Sequence, residues 1–87
     1  MEKAYLKTLQ VSDGCFSGEK GVIIENYDGD KSSGFFENEH IKNGKLEVAV
    51  IKEKDGLALV KLPGRTMEGD GDKGYITVNK KQLEAVA

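Results

Sequence analysis

Apolar and polar residues alternate with a period of two along most of this chain, the pattern of half-buried β-strands. The alternation is clearest from Gly44 to Gly64, GKLEVAVIKEKDGLALVKLPG, where two such runs flank Asp55-Gly56. That dipeptide suits a two-residue hairpin turn, whose backbone twist matches the strands beside it. An unbroken ladder on this turn sets Glu53 opposite Ala58, Ile51 opposite Val60 and Ala49 opposite Leu62. The other face then pairs Lys54 with Leu57, Lys52 with Leu59 and Val50 with Lys61. The first face is nearly all aliphatic and is expected to look into the core. The second mixes lysine with aliphatics.

The same reading runs through the rest of the chain. Lys3 to Val11 alternates loosely and reads as a first strand. Asp13 to Gly21, DGCFSGEKG, reads as a loop, and Gly21 to Tyr27 as a second strand rich in β-branched residues. Asp28 to Ser33 has the composition of a turn, Gly34 to Phe36 of a short third strand, and Asn38 to Asn43 of a connector. Pro63-Gly64 suits a type II turn, with proline fixing φ first and glycine supplying positive φ second. Thr66 to Gly74 is expected to be mobile and Tyr75 to Asn79 to be a sixth strand. Lys80 to Leu83 fits one helical turn before a frayed tail. Turn signals every eight to twelve residues suggest an all-β barrel or sandwich of five or six antiparallel strands. Its expected core is Leu9, Val11, Phe16, Val22, Ile24, Phe36, Ala49, Ile51, Val60, Leu62, Ile76 and Val78.

Composition narrows the picture. Eighty-seven residues make one small domain, whose thin core requires most aliphatics to share one interior. The single cysteine, Cys15, excludes an internal disulfide. A lone cysteine fits a cytoplasmic setting, which is the expectation, and the first ten residues, MEKAYLKTLQ, carry charge and lack a signal-type apolar run. The longest apolar runs, Val48–Ile51 and Leu57–Val60, are four residues each, too short for a membrane span. Net charge is −2, but residues 1–39 carry four lysines against eight acids while residues 40–87 carry nine basic against seven acidic groups. A pI near 5.4 and a single arginine, Arg65, disfavour a dedicated nucleic-acid binder.

Val11 to Ile24, VSDGCFSGEKGVII, places Gly14, Phe16, Gly18 and Gly21 in a G-x-F-x-G-x-x-G array before an aliphatic strand. This array resembles the KOW motif of ribosomal proteins and NusG-type elongation factors. The resemblance covers about fourteen of 87 residues. It implies a Src-homology-3-like barrel and, by analogy, contact with RNA or with transcription or translation machinery. Cys15 departs from the proline frequent in that motif, and Lys20 is balanced by Asp13 and Glu19. Phe16, the one large apolar group of the loop, is expected to pin it to the core.

Two other chemistries leave partial patterns in the chain. Asp28, Asp30, Ser32 and Glu39 fall at positions 1, 3, 5 and 12 of a calcium-loop template. The template also wants glycine where Ser33 stands and a helix where VIIENY reads as a strand, so a solvated acidic turn is the expectation and calcium the alternative. His40 and Cys15 occur once each, and nothing in the pattern places them together for nucleophilic catalysis. No phosphate-loop, zinc or dinucleotide signature is present, so no cofactor and no enzymatic activity are expected.

What remains is a non-catalytic protein-binding module, monomeric or homodimeric. An RNA- or ribosome-associated module is the alternative, resting on the KOW resemblance and on Lys52, Lys54, Lys61, Arg65, Lys80 and Lys81. Candidate partner-binding residues are Phe16, Tyr27, Phe35, Val50, Lys52, Leu59, Lys61, Arg65 and Tyr75. The aromatic ones are expected along a groove between the loops Asp13–Gly21 and Thr66–Gly74. Val50, Lys52, Leu59 and Lys61 lie on the lysine-bearing face of the central hairpin, and Arg65 follows it.

Overall fold

The computed structural model describes residues 2–14 and 16–86. Cys15, and with it the expectation that a lone cysteine is buried, lies outside them. Antiparallel strands make up the fold, in two sheets. The larger sheet runs β8-β7-β6-β1-β9, formed by Tyr75–Asn79, Leu57–Lys61, Lys45–Lys54, Glu2–Lys7 and Leu83–Ala85, and the two-residue β5 (Ile41–Lys42) also pairs with β6. The smaller sheet is the meander of β2 (Gln10–Asp13), β3 (Glu19–Glu25) and β4 (Lys31–Glu37). The sheets are not closed into one barrel. No helix among the described residues is long and apolar enough to cross a membrane.

The central hairpin forms on the expected turn. Asp55 and Gly56 both take positive φ, 53° and 80°, as a type I′ turn requires. Lys54 pairs with Leu57, Glu53 with Ala58 and Lys52 with Leu59, and then the ladder slips. Val50, not Ile51, lies opposite Val60, and Ala49 lies opposite Lys61. Ile51 is the extra residue of a β-bulge. Beyond it, every side chain of β6 changes face, because the side-chain period of a strand is two. Leu46, Val48 and Val50 therefore point inward and are buried, while Ile51 is 40% exposed and Ala49 half-buried. This corrects the expected core at Ile51 and Ala49, and it removes Val50 from the expected binding face.

The first strand is also corrected. Lys3 to Val11 is not one element but β1 and β2, which lie in different sheets. The chain bends at Thr8-Leu9, where the Leu9 N–H already donates to the Ile23 carbonyl at 2.8 Å. A strand that changes sheets in this way makes a corner of the fold. The bend puts Ala4 and Leu6 into the core, leaves Leu9 half exposed and leaves Val11 packed against the core edge. The buried set is Ala4, Leu6, Leu46, Val48, Val50, Ala58, Val60, Leu62, Ile76 and Val78, facing Val22, Ile24 and Phe36 of the smaller sheet. Phe16, expected inside, is 76% exposed at the tip of the β2–β3 connection.

Small residues on the inner face of β4 let the 66–74 loop lie close along the free edge of that strand. A Cβ on Gly34 would lie 2.8 Å from Thr66 Cα and 3.1 Å from the Arg65 carbonyl oxygen, too close for any side chain. Ser32 is buried beside it, and its hydroxyl accepts the Gly71 N–H at 3.4 Å. The Met67 N–H donates to the Ser33 carbonyl, the Ser33 N–H to that of Glu68, and the Thr66 N–H to that of Gly71. The 66–74 loop, expected to be mobile, is thus hydrogen-bonded to β4 and to itself, with a 3-10 turn at Asp70–Lys73. Gly64 does not take the positive φ of the expected type II turn.

A second positive-φ pair, Asn43 at 52° and Gly44 at 74°, makes a β5–β6 hairpin inside what read as a plain connector. At the other end, Lys80–Gln82 forms the expected single turn, of 3-10 type. The tail after it is paired, with Ala85 opposite Ala4 and Leu83 opposite Leu6.

Candidate functional site: the outer face of the β6–β7–β8 sheet

The bulge sorts the mixed face of the hairpin into two parts. Val48 and Val50 go inward, while Leu57 and Leu59 stay outside with the lysines. The backbone register aligns these residues in rows across the strands. Lys52, Leu59 and Thr77 form one row, Lys54, Leu57 and Asn79 a second, and Ala49, Lys61 and Tyr75 a third. Lys52, Lys54, Leu57, Leu59 and Thr77, together with Asp55, line a shallow hollow of 290 Å³. Leu57 and Leu59 are only half-buried, and the bulged Ile51 lies exposed beside them.

The lysines of this face stand outside the ion pairs of the molecule's described residues. The ion pairs among the described residues are Lys3–Glu47, Lys20–Asp13, His40–Glu39, Lys45–Glu84 and Lys80–Glu53. Lys52, Lys54 and Lys61 take part in none of them. Ammonium groups flanking partly exposed aliphatics make a surface that attracts acidic, apolar chemistry.

The third row continues into a second hollow of 270 Å³ past the end of β7. Lys61, Arg65, Lys73 and Tyr75 line it together with Leu62 and Pro63. Sequence reasoning singled out Lys61, Arg65 and Tyr75 but not Lys73. The missing signal was topological: the Leu62 N–H donates to the Gly74 carbonyl at 2.8 Å and draws the 3-10 turn beside β7.

The predicted aromatic groove does not assemble. Phe35, 40% exposed, sits with Ser12, Gly21 and Met67 in a hollow on the outer face of the smaller sheet. Phe35 leans over Gly21, where a Cβ would meet its ring at 3.5 Å. Tyr75 lines the hollow at the end of β7. Tyr27 is half exposed after β3, where its N–H donates to the Thr77 carbonyl at 2.9 Å and ties the smaller sheet to β8. Phe16 and Tyr27 line neither hollow.

The residues of the calcium template are not brought together either. Asn26 organises the turn, its Oδ1 accepting the N–H groups of Asp28 and Asp30 at 2.8 and 2.9 Å. Strand β4 then carries the chain roughly 20 Å before Glu39. Glu39 instead groups with Glu37 and His40, whose ligand atoms lie within 4.8 Å of one another. Both carboxylates are exposed, so this grouping reads as a solvated strand end. Comparison with family models, curated proteins and solved structures finds no match for this chain.

Proposed function

We infer that the chain is a non-catalytic binding module, acting in the cytoplasm, that takes a protein partner on the outer face of β6, β7 and β8. The observation that carries this reading is the set of rows Lys52–Leu59–Thr77 and Lys54–Leu57–Asn79, with lysines in no ion pair among the described residues beside half-buried leucines. A protein of net charge −2 has carboxylates enough to neutralise these lysines, yet among the described residues they stay unpaired. The complementary partner is a segment bearing aliphatic side chains and carboxylates.

We read the architecture as a Src-homology-3-like barrel opened along one seam. Support comes from the corner at Thr8-Leu9, where the first strand passes between sheets, and from the 3-10 turn that returns the last strand to β1. The KOW-like loop supplies no basic surface of its own, since Lys20 is engaged with Asp13 at 3.5 Å. That weighs against the RNA reading.

A peptide library selected on the intact protein, with the Leu59→Lys variant for counter-selection, tests the proposal. Enrichment of acidic-aliphatic peptides that bind wild type and lose at least tenfold on the variant is expected, with a shallow dependence on salt. Peptides that bind both proteins equally would refute the assignment. So would tight single-stranded RNA binding that falls steeply as salt rises, the signature of counterion release.

A further inference from the structure

Lys61, Arg65 and Lys73 line one hollow, and no acidic side chain lines it with them. Lys61 stands at the end of β7, directly opposite Tyr75. Arg65 passes close to Gly74, its Cγ 3.7 Å from where a Cβ on that glycine would stand. Lys73 ends the 3-10 turn that the Leu62–Gly74 and Gly74–Gly71 hydrogen bonds hold in place, at 2.8 and 2.9 Å. None of the three cations is in an ion pair among the described residues. The nearby loop acid Asp70 is turned away toward the Asn26 side-chain amide. Asp72 and Glu68, also on this loop, do not line the hollow.

Three like charges around one hollow repel each other unless an anion joins them. We propose that this hollow binds a phosphomonoester dianion, as carried by a phosphorylated side chain of the partner. Charge selects among the oxyanions. A phosphomonoester brings about −1.5 to −2 and three acceptor oxygens, whereas a carboxylate or a nucleic-acid phosphodiester brings about one negative charge. Arg65 offers a planar fork to two of the oxygens, and the two ammonium groups act as point charges on the rest. The volume of 270 Å³ accommodates such a group with water, each water occupying about 30 Å³. The Tyr75 ring gives the wall an apolar side against which the carrier's stem can lie. The proposal rests on the protein-partner reading only for the source of the phosphate.

The test is an amide NMR titration of the full chain with inorganic phosphate, dimethyl phosphate and acetate, at constant ionic strength. The Gly64 and Gly74 amides should shift saturably with inorganic phosphate, and at least tenfold more weakly with the two monoanions. Arg65→Ala and Lys73→Ala should each weaken phosphate binding about tenfold or more with unchanged melting temperature. Lys20→Ala and Leu59→Lys, both outside the hollow, should leave it unchanged. No saturable shift at those two glycines would overturn the proposal. So would equal responses to all three anions, and equality of dimethyl phosphate with phosphate alone would assign the hollow to nucleic-acid backbone instead. Leu59→Lys separates the two readings: it abolishes peptide binding if the sheet face is correct and spares phosphate binding if the hollow is.

Discussion

Val50 lies opposite Val60 across the β6–β7 pair, one residue out of step with the ladder that begins at the Asp55-Gly56 turn. This offset decides which side of β6 is wet. Without it, Ile51 and Ala49 would be inside and Leu46, Val48 and Val50 would be spread over the lysine face. With it, the lysine face keeps only Leu57 and Leu59 from the hairpin's regular ladder, and the core receives Leu46, Val48 and Val50 in place of Ile51 and Ala49.

The bulge predicts unequal costs for two similar truncations. Ile51→Ala should change stability by no more than about 0.5 kcal/mol, as at other exposed positions. Leu46→Ala should cost about 2–5 kcal/mol, because it opens a cavity at a fully buried site. Urea unfolding of both variants measures the difference, and similar losses at the two positions would show that Ile51 is buried after all.

Thr66 Oγ1 is buried and has no hydrogen-bond partner among the described residues. Replacing it with the isosteric Val removes an unsatisfied hydroxyl without changing the volume. Thr66→Val should therefore be neutral or stabilising by up to about 1 kcal/mol, raising the melting temperature by about 4–8 °C at most. A clear fall in melting temperature would mean that the hydroxyl has a partner, such as an ordered water.

Asn26 joins three segments through one buried amide. Its oxygen accepts the Asp28 and Asp30 N–H groups, and its nitrogen donates to the Asp70 carboxylate. Asn26→Ala leaves these groups to water or to nothing and should cost about 1–3 kcal/mol. Faster amide hydrogen exchange at Asp28, Asp30 and the 70–73 turn should accompany it. Unchanged exchange at the 70–73 turn would show that the loop is held by β4 alone.

Lys45 Nζ reaches Glu84 Oε2 at 2.6 Å across β1, which lies between their strands. This hydrogen bond holds the Glu84 carboxyl below its usual range, the charges of Lys45 and Lys7 add to the effect, and desolvation opposes it. A folded pKa below the unfolded one contributes stability above the unfolded pKa, and that contribution is lost as pH falls through the folded pKa. The docking of β9 should therefore weaken as pH falls below the ordinary carboxylate range. In Lys45→Met the Glu84 carboxyl, followed by NMR, should titrate closer to the ordinary value. An unmoved titration would rule out Lys45 as the cause.

By itself the sequence determined the strand class, the Asp55-Gly56 turn, the β8 strand and the inward set Val22, Ile24, Phe36, Val60, Leu62, Ile76 and Val78. These follow from period-two alternation and from turn chemistry, both of which act over a few residues. The Asn43-Gly44 turn obeys the same rule, although its segment read as a connector. Only the tertiary structure decided the bulge at Ile51, the corner at Thr8-Leu9 and the meeting of Lys61, Arg65 and Lys73. A bulge leaves no local mark when both registers offer aliphatics, as VAVI does here. The choice between them belongs to β1, whose Ala4 and Leu6 pair with Val48 and Leu46 and draw that side of β6 into the core. The cationic hollow likewise depends on the loop threading past Gly34 of β4, a contact between residues far apart in the chain that no short-range pattern encodes.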